Sequence, residues 1–323
     1  MKIAVLAGGR SLERGVSLRS GSRVVDALAS LGHEVVAVDP GADLIRRLKD
    51  ERPDVAFISL HGPGGEDGTV QELVEILGIP YTGPGVAACV RTIDKVTSKH
   101  AMRAAGIPTP DWVAFNETAF RELGAADALE EIEARLGFPL VVKPASQGSS
   151  LGVEFAPARD DVPQALVAAF SYDDRVLLER YVKGRELAVG IIDGEPLPIV
   201  EAIPKQEDFF NFEARYEIGR TEYVCPAELA DEDTAAVNDA ARRTWEALGC
   251  EGFARVDLML GGPDAPEEVR GSQVLEVNAI PGLTDTSLLP QAAEAAGVSF
   301  EDLCARIVEL ARARAGESAA LPG

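Results

Sequence analysis

The sequence predicts a mixed protein in which an N-terminal α/β domain on a parallel sheet is followed by two α+β domains. First, short apolar runs alternate with helical patterns over roughly the first 85 residues. Second, a strand-rich block with an acidic helix follows up to about residue 180, and a third block holds longer strands and long helices. We expect domains at 1–88, 89–180 and 181–315, and a disordered Ala/Gly-rich tail at 316–323.

In the N-terminal domain, apolar runs at 3–6, 34–38 and 55–60 predict strands, with helices from about residue 16 and near 44–49 between them. This βαβαβ order predicts parallel strands with helices over the sheet. Two glycine-rich loops, 8–15 and 61–68, follow the first and third strands. Ligands of open α/β sheets bind at this carboxyl edge, so both loops are candidate ligand loops.

The second block predicts a helix at 94–105, an acidic helix at 118–135, a strand at 140–142, a Gly/Ser loop, and a strand–helix–strand unit ending near residue 180. The third block predicts strands at 186–192, 253–260 and 274–278, a helix at 231–248, and closing helices after Ser287 and Ser299. Residues 204–222 are aromatic, charged and aperiodic, which indicates a functional loop.

The composition excludes several classes of protein. Of 323 residues, 46% are hydrophobic and 26% charged, as is typical of globular proteins and not of disordered, collagenous or membrane chains. The formal net charge of −22 repels phosphate backbones, and no Lys/Arg cluster offsets it, so we expect no nucleic-acid partner. Four cysteines without a CxxC pair argue against a zinc ribbon or a disulfide scaffold, which indicates the reducing cytoplasm. No apolar segment has the length of a membrane span.

Two strands near the C-terminus carry the strongest chemical pattern. With a side-chain period of two, Arg255 and Asp257 share one face of the first strand, and Glu276 and Asn278 share one face of the second. The opposite faces, which include Leu275, are apolar. Oxygen ligands of this kind suit a hard ion such as Mg²⁺ that also holds substrate phosphates. The alternative is a solvated sheet face with cross-strand salt bridges.

A lysine before a loop of small residues forms the second pattern. Lys143 ends an apolar strand, and the Gly/Ser loop that follows offers backbone amides and hydroxyls to nucleotide phosphates. It is not a P-loop, where the lysine follows the glycines, and a hairpin turn with an edge lysine is the alternative. The run 177–182, followed by Glu186, could bind an adenine edge and a ribose hydroxyl.

The N-terminal loops give weaker signals. The Gly8-Gly9-Arg10 segment lacks the dinucleotide fingerprint. Glu13 could cap the helix that follows it, and His61 could be a turn residue.

Taken in order, these segments resemble the D-alanine:D-alanine ligase family over residues 3 to about 312. The motifs are GGRSLERGVSL at 8–18, HGPGGEDGTVQ at 61–71, DK at 94–95, VKPASQGSSLG at 142–152, RVD at 255–257 and EVNAIPG at 276–282. The resemblance implies the ATP-grasp fold, in which two α+β domains sandwich the nucleotide. It also implies ATP-dependent joining of two D-alanine molecules through an acyl phosphate, for peptidoglycan precursor synthesis, with homodimer formation.

The resemblance also implies residue roles. ATP would be bound by Lys95, Lys143, Ser150, Glu179, Val182 and Glu186, and two Mg²⁺ (or Mn²⁺) ions by Asp257, Glu276 and Asn278. Glu13 would pair with the ammonium of the first D-alanine, linked to Ser149 and Tyr216, while His61 would line that subsite. Ser287 and Leu288 would receive the carboxylate of the second D-alanine, Arg215 would reach the transferred phosphate, and Arg255 with the amide of Gly282 would stabilise the oxyanion.

Three departures from the family pattern involve four residues. Arg215 stands where lysine is usual, Gln147 where an acid is common, and Asp285-Thr286 where Ser-His is frequent. They leave open a ligase with D-lactate or D-serine as second substrate. Outside the enzymes, the alternative is a nucleotide-binding sensor without turnover, against which the Arg255, Asp257, Glu276 and Asn278 set argues.

Overall fold

The computed structural model describes residues 1–205 and 221–320. Most of the predicted functional loop, including Arg215 and Tyr216, therefore lies outside the described residues. The described chain is built on three sheets, of three, four and six strands. Among these residues no helix combines the length and the apolar character that crossing a membrane requires.

The N-terminal sheet is parallel, with the strand order β2-β1-β3, which confirms the predicted βαβαβ arrangement. Its central strand is apolar and buried because helices cover the sheet. The elements of this part are β1 (Lys2–Leu6), α1 (Arg14–Ser30), β2 (Glu34–Val38), α2 (Leu44–Glu51), β3 (Val55–Ile58), α3 (Thr69–Ile76) and α4 (Val86–Ile93).

The four-stranded sheet is antiparallel, in the order β4-β7-β5-β6. The acidic helix predicted at 118–135 is wrong as one unit, because the helix breaks at Gly124, whose φ of 73° lies in the left-handed region. The elements are α5 (Lys95–Ala104), β4 (Trp112–Asn116), α6 (Glu117–Glu122), α7 (Leu129–Leu136), β5 (Leu140–Pro144), β6 (Glu154–Ala156), α8 (Val162–Phe170) and β7 (Arg175–Arg180).

The six-stranded sheet runs β11-β10-β8-β12-β13, with β9 paired to β8. Three acidic residues in the first turn of α9 complement the helix dipole, and Gly249 at φ 68° ends that helix. The elements are β8 (Gly184–Ile192), β9 (Glu195–Pro196), β10 (Val200–Pro204), β11 (Thr221–Val224), α9 (Asp231–Leu248), β12 (Phe253–Gly261), β13 (Gly271–Asn278), α10 (Leu288–Ala295) and α11 (Phe300–Ala320).

The hydrophobic cores are divided unevenly among the sheets. The core of the N-terminal sheet includes Phe253, Leu289 and Leu303 from the C-terminal part of the chain, so these two parts share buried apolar surface. The four-stranded sheet has a separate core against α7 and α8. The predicted boundary at residue 88 lies inside α4, whereas 180 is the last residue of β7. The backbone of α11 reaches Ala320, beyond residue 316, where we predict that disorder begins.

Candidate active site

A cleft of about 250 Å³ lies between the four-stranded and six-stranded sheets. Strands β5 and β7 border it on one side, and β8, β10, β12 and β13 border it on the other. Eight of the predicted ATP and metal residues line it: Lys95, Lys143, Ser150, Glu179, Val182, Glu186, Asp257 and Glu276. The structure therefore brings together residues that are distant in the sequence.

Lys143 and Glu179 form a buried ion pair on neighbouring strands of this cleft. The Nζ atom of Lys143 lies 2.5 Å from Oε2 of Glu179, while Oε1 of the same carboxylate lies 2.7 Å from Nζ of Lys99. Burial alone would raise the pKa of Glu179, but the two lysines outweigh it and the pKa falls below its ordinary value. The alternative of an edge lysine on a hairpin turn is therefore wrong, because Lys143 is buried and paired.

Lys99 is absent from the predicted site. It lies one helical turn after Lys95 on the buried side of α5, with Val96 and Met102. Its side chain has no exposure to solvent. A lysine on the apolar stripe of an amphipathic helix needs a buried acceptor, and that position was the signal available in the sequence.

Lys95 connects the Gly/Ser loop to the six-stranded sheet. Its Nζ donates to the carbonyl of Gln147 at 2.6 Å and lies 3.3 Å from Oε2 of Glu276. One cation therefore contacts both sides of the cleft where the predicted phosphate loop and the predicted metal ligands meet.

The predicted metal residues face one another across β12 and β13. Asp257 pairs in register with Glu276, and Arg255 pairs with Asn278. Nε and Nη2 of Arg255 donate to the two oxygens of Asp257 at 2.6 and 2.8 Å, and the amide of Asn278 donates to Asp257 at 3.0 Å. The alternative of a solvated face is wrong for Arg255 and Asp257, which are both buried.

An irregularity of the ladder changes one prediction about these strands. The register shifts between Asp257 and Leu258, as at a β-bulge, so the strict alternation of sides fails on β13. Leu275, expected on the apolar face, lines the cleft beside Glu276. Two carboxylates and an amide oxygen are ligands of the kind that suits a hard divalent ion, and here Arg255 and Lys95 contact the two carboxylates.

The Gly/Ser loop approaches the N-terminal domain at Gly148. A Cβ atom built there would lie 2.8 Å from Oε2 of Glu13, so any larger residue would require the Glu13 carboxylate or the loop to shift. The two residues that follow, Ser149 and Ser150, have φ angles of 54° and 57°, in the left-handed region. This conformation allows the hydroxyl of Ser149 to donate to Oε1 of Glu13.

Glu13 precedes α1 but makes no capping hydrogen bond with its side chain, so the capping hypothesis is wrong. The carboxylate is buried between Gly148 and Gly62, since a Cβ on Gly62 would also lie 2.7 Å from its Oε2. A second carboxyl, Glu66, was not predicted. It accepts from the amides of Gly62 and Ile280, and burial together with the charge of Glu13 raises its pKa to about 8.

His61 is a buried residue of the same region and not a turn residue at the surface. Its Nδ1 lies 2.9 Å from the carbonyl oxygen of Ile280, and its Nε2 lies 3.3 Å from the hydroxyl of Ser20. Burial, with a smaller contribution from Arg255, lowers the pKa of His61 to about 4. The imidazole is therefore neutral at physiological pH and can donate or accept hydrogen bonds.

Gly282, Ser287 and Leu288 meet where the chain enters α10. The hydroxyl of Ser287 accepts from the amide of Thr284 at 3.0 Å, and a Cβ on Gly282 would lie 2.8 Å from that hydroxyl. Leu288, the first residue of α10, is buried. The two residues predicted to bind the carboxylate of the second D-alanine therefore lie next to Gly282, whose amide is predicted to stabilise the oxyanion.

Two of the departures from the family pattern have local partners. The side-chain amide of Gln147 donates to the carbonyl of Tyr172 at 2.9 Å, a contact that an ionised acid cannot make. Asp285 pairs with Arg23 at 2.8 Å, and Thr286 accepts from Gln291 through its carbonyl at 3.1 Å.

Known proteins of one family match this chain along its length. Models described as the N-terminus and C-terminus of D-ala D-ala ligase match residues 40–84 and 101–309. A D-alanine–D-alanine ligase of Synechococcus sp. is 44% identical over 100% of this chain and 97% of its own, and that of Moorella thermoacetica is 41% identical over 96% and 99%.

Solved structures agree with these relatives. The Bacillus anthracis D-alanine–D-alanine ligase complexed with ATP has a TM-score of 0.82 at 36% identity, covering 98% of this chain and 99% of that one. The ligase from Coxiella burnetii has a TM-score of 0.79 at 26% identity, over 99% and 96%. The predicted ATP-grasp fold is confirmed. With relatives this similar over its whole length, the chain belongs to the D-alanine–D-alanine ligase family.

Proposed function

We propose that this protein joins two molecules of D-alanine with the hydrolysis energy of ATP, and that its described site residues carry out the steps below. The reaction yields D-alanyl-D-alanine, ADP and phosphate and serves peptidoglycan precursor synthesis. The observation that carries the proposal is the cleft, whose described lining includes two lysines and five carboxylates, together with the Ser149–Glu13 contact.

The cleft between the sheets is the proposed nucleotide site. Lys95 and Lys143 line this cleft together with Gln147 and Ser150 of the Gly/Ser loop, so the two cations suit the phosphates, with Ser150 donating from the loop. The segment from Glu179 to Val182 would hold the adenine edge, and Glu186 on β8 would bind a ribose hydroxyl.

Asp257, Glu276 and Asn278 are proposed to hold two Mg²⁺ or Mn²⁺ ions. When bound, such ions neutralise triphosphate charge and orient the transferred phosphoryl group. Asp257 already accepts hydrogen bonds from Arg255, and Glu276 lies 3.3 Å from Lys95. A bound metal ion would take the place of these cationic contacts.

The first D-alanine is proposed to bind beside Glu13, whose carboxylate attracts its ammonium while neutral His61 lines the subsite. Its carboxylate needs activation, because oxide is not a leaving group that an amine displaces. Transfer of the γ-phosphoryl group gives an acyl phosphate, and the amine of the second D-alanine attacks its carbonyl carbon. Phosphate leaves, and the amide bond forms.

The second D-alanine is proposed to place its carboxylate at Ser287 and the start of α10 at Leu288. The tetrahedral oxyanion would accept hydrogen bonds from Arg255 and from the amide of Gly282. Arg215 and Tyr216, outside the described residues, are proposed to reach the phosphate and the Ser149–Glu13 pair.

We further infer a cytoplasmic location, since the reaction consumes ATP and supplies an early cell-wall precursor, and a homodimer by family resemblance. Both remain proposals that fractionation and light scattering can test.

The test of the function is phosphate release from ATP and Mg²⁺ with D-alanine as sole amino acid, with mass-spectrometric identification of the product. We expect the dipeptide. Offering D-lactate or D-serine with D-alanine, and measuring each mixed product, tests the second subsite. ATP binding without any ligated product under varied Mg²⁺ and K⁺ would refute the enzyme and favour the nucleotide sensor.

A further inference from the structure

Behind the nucleotide cleft, Glu179 lies between two lysines that differ in access. Lys143 contacts Oε2 and lines the cleft, whereas Lys99 contacts Oε1 from the interior and has no solvent exposure. Lys143, proposed above as a phosphate ligand, would divide its three N–H groups between Glu179 and the nucleotide when ATP is bound. Lys99 has no access to the nucleotide, so its contact with Glu179 would not be shared.

The environment of Lys99 is built for a charged ammonium. Its Nζ atom forms an ion pair with Oε1 of Glu179 at 2.7 Å and donates to the hydroxyl of Thr109 at 2.5 Å and to the carbonyl of Pro110 at 3.2 Å. The ring centroid of Trp112 lies 5.2 Å from the same nitrogen. Burial lowers the pKa of Lys99 only to about 8, so the ammonium form predominates at neutral pH.

The charge on Glu179 decides which nucleobase it can bind. An ionised carboxylate only accepts hydrogen bonds, whereas a protonated carboxyl group also donates. Adenine presents a 6-amino donor, and hypoxanthine or guanine presents a 6-oxo acceptor. A buried carboxylate with no cation takes up a proton, and it would then tolerate a 6-oxo group.

We propose that Lys99 is a positioning residue for nucleobase selection, which holds Glu179 ionised and oriented as an acceptor for the 6-amino group when Lys143 turns to the phosphates. This inference rests on the proposed function, because it takes the cleft as the ATP site. Lys99 acts through Glu179 and does not touch the nucleotide.

The test compares ATP with ITP, which differ at the 6-position in the groups they offer. For wild type and Lys99→Met we would measure kcat and KM of dipeptide formation, and Kd by calorimetry without D-alanine. We expect KM for ATP to rise with a smaller change in kcat, and the ATP/ITP ratio of kcat/KM to fall about 10- to 150-fold, as for the loss of one hydrogen bond to a charged group.

The matched control is Arg103→Met. Arg103 lies one turn further along α5 and stacks on the same Trp112 at 3.9 Å, but its ion pair is with Asp111 at the surface. Its removal should leave the ATP/ITP ratio unchanged. A ratio that stays within about threefold of wild type in an active Lys99→Met enzyme, under 1 kcal/mol, would overturn the inference.

Removing one partner of a buried pair can prevent folding, so a double-mutant cycle supplies a second test. The cycle compares Glu179→Gln with the double variant Glu179→Gln/Lys99→Met, in which both members of the ion pair are neutral groups of similar size. If Lys99 acts through Glu179, the second change adds no further loss in ATP/ITP discrimination. A further loss of tenfold or more would show an independent role and overturn the proposal. Absence of ATP-dependent dipeptide formation in the wild type would instead overturn the proposed function.

Discussion

Gly148→Ala tests whether the approach of the Gly/Ser loop to Glu13 creates the first D-alanine subsite. The new methyl group would lie 2.8 Å from Oε2, 3.2 Å from Oε1 and 3.3 Å from the carboxylate carbon of Glu13. Ordinary contact requires several tenths of an ångström more, so the carboxylate and the loop must separate. The Ser149–Glu13 hydrogen bond breaks as they do.

The magnitude follows from that bond. A hydrogen bond to a charged group contributes about 1.5–3 kcal/mol, which corresponds to about 10- to 150-fold in the KM of the first D-alanine. The assay is the initial rate of phosphate release against D-alanine at saturating ATP, with ATP affinity measured separately. We expect ATP affinity to change little, because the methyl group points towards Glu13.

Gly15→Ala is the control, since it lies two residues from Glu13 in α1, is exposed, and has only Arg19 within 4 Å of a new Cβ. That variant should keep wild-type kinetics and gain about 0.5–1 kcal/mol of stability from helix propensity. Wild-type D-alanine kinetics in Gly148→Ala would refute the reasoning and separate Glu13 from the substrate.

Three further predictions concern other parts of the site. Glu276→Ala should lower turnover at least about 100-fold with little loss of thermal stability, because it removes a proposed metal ligand. Turnover within about threefold of wild type, a change of under 1 kcal/mol in the activation barrier, would exclude that role. Glu66 has a folded pKa of about 8 against an ordinary 4.5, so its unfolded form ionises first and native stability falls between about pH 5 and 8. The melting temperature of Glu66→Gln relative to wild type should therefore rise over that range, and a flat difference would contradict the pKa. Tyr216→Phe should permit D-alanyl-D-lactate synthesis, most of all at low pH, where the competing amine of D-alanine is more protonated. If the ratio of D-alanyl-D-lactate to D-alanyl-D-alanine equals that of wild type from pH 6 to 9, Tyr216 does not set the specificity of the second subsite.

The sequence alone was enough to predict those helices and strands in which the spacing of apolar residues agrees with the residues that begin and end the element. The parallel N-terminal strands, α9 with its acidic first turn and Gly249, and the shared face of Arg255 and Asp257 follow from alternation and helix chemistry. The resemblance was needed to connect Glu13 with Ser149, since local sequence equally allowed a capping residue.

Other features depend on contacts that no local pattern encodes. Strands β10 and β11 are short, and their pairing brings together residues on either side of the undescribed segment. The bulge that turns Leu275 to the cleft is a property of two strands together. Glu66 became a site residue only when folding buried it beside Glu13, and the helical pattern that marks Lys99 as buried does not identify Glu179 as its partner.

The separate core of the four-stranded sheet has a consequence for inactivation. That sheet packs on α7 and α8 through one core and on Val96 of α5 through a smaller one, and its other links at the site include the polar contacts of Lys95 with Glu276 and of Ser149 with Glu13. We therefore expect mild heat or denaturant to separate the walls of the cleft before the helices and strands unfold. On heating, enzymatic activity should be lost at a lower temperature than the circular-dichroism signal of the helices and strands. Nucleotide bound at the proposed site would contact both walls of the cleft, so it should raise the temperature of activity loss more than the melting temperature of the secondary structure.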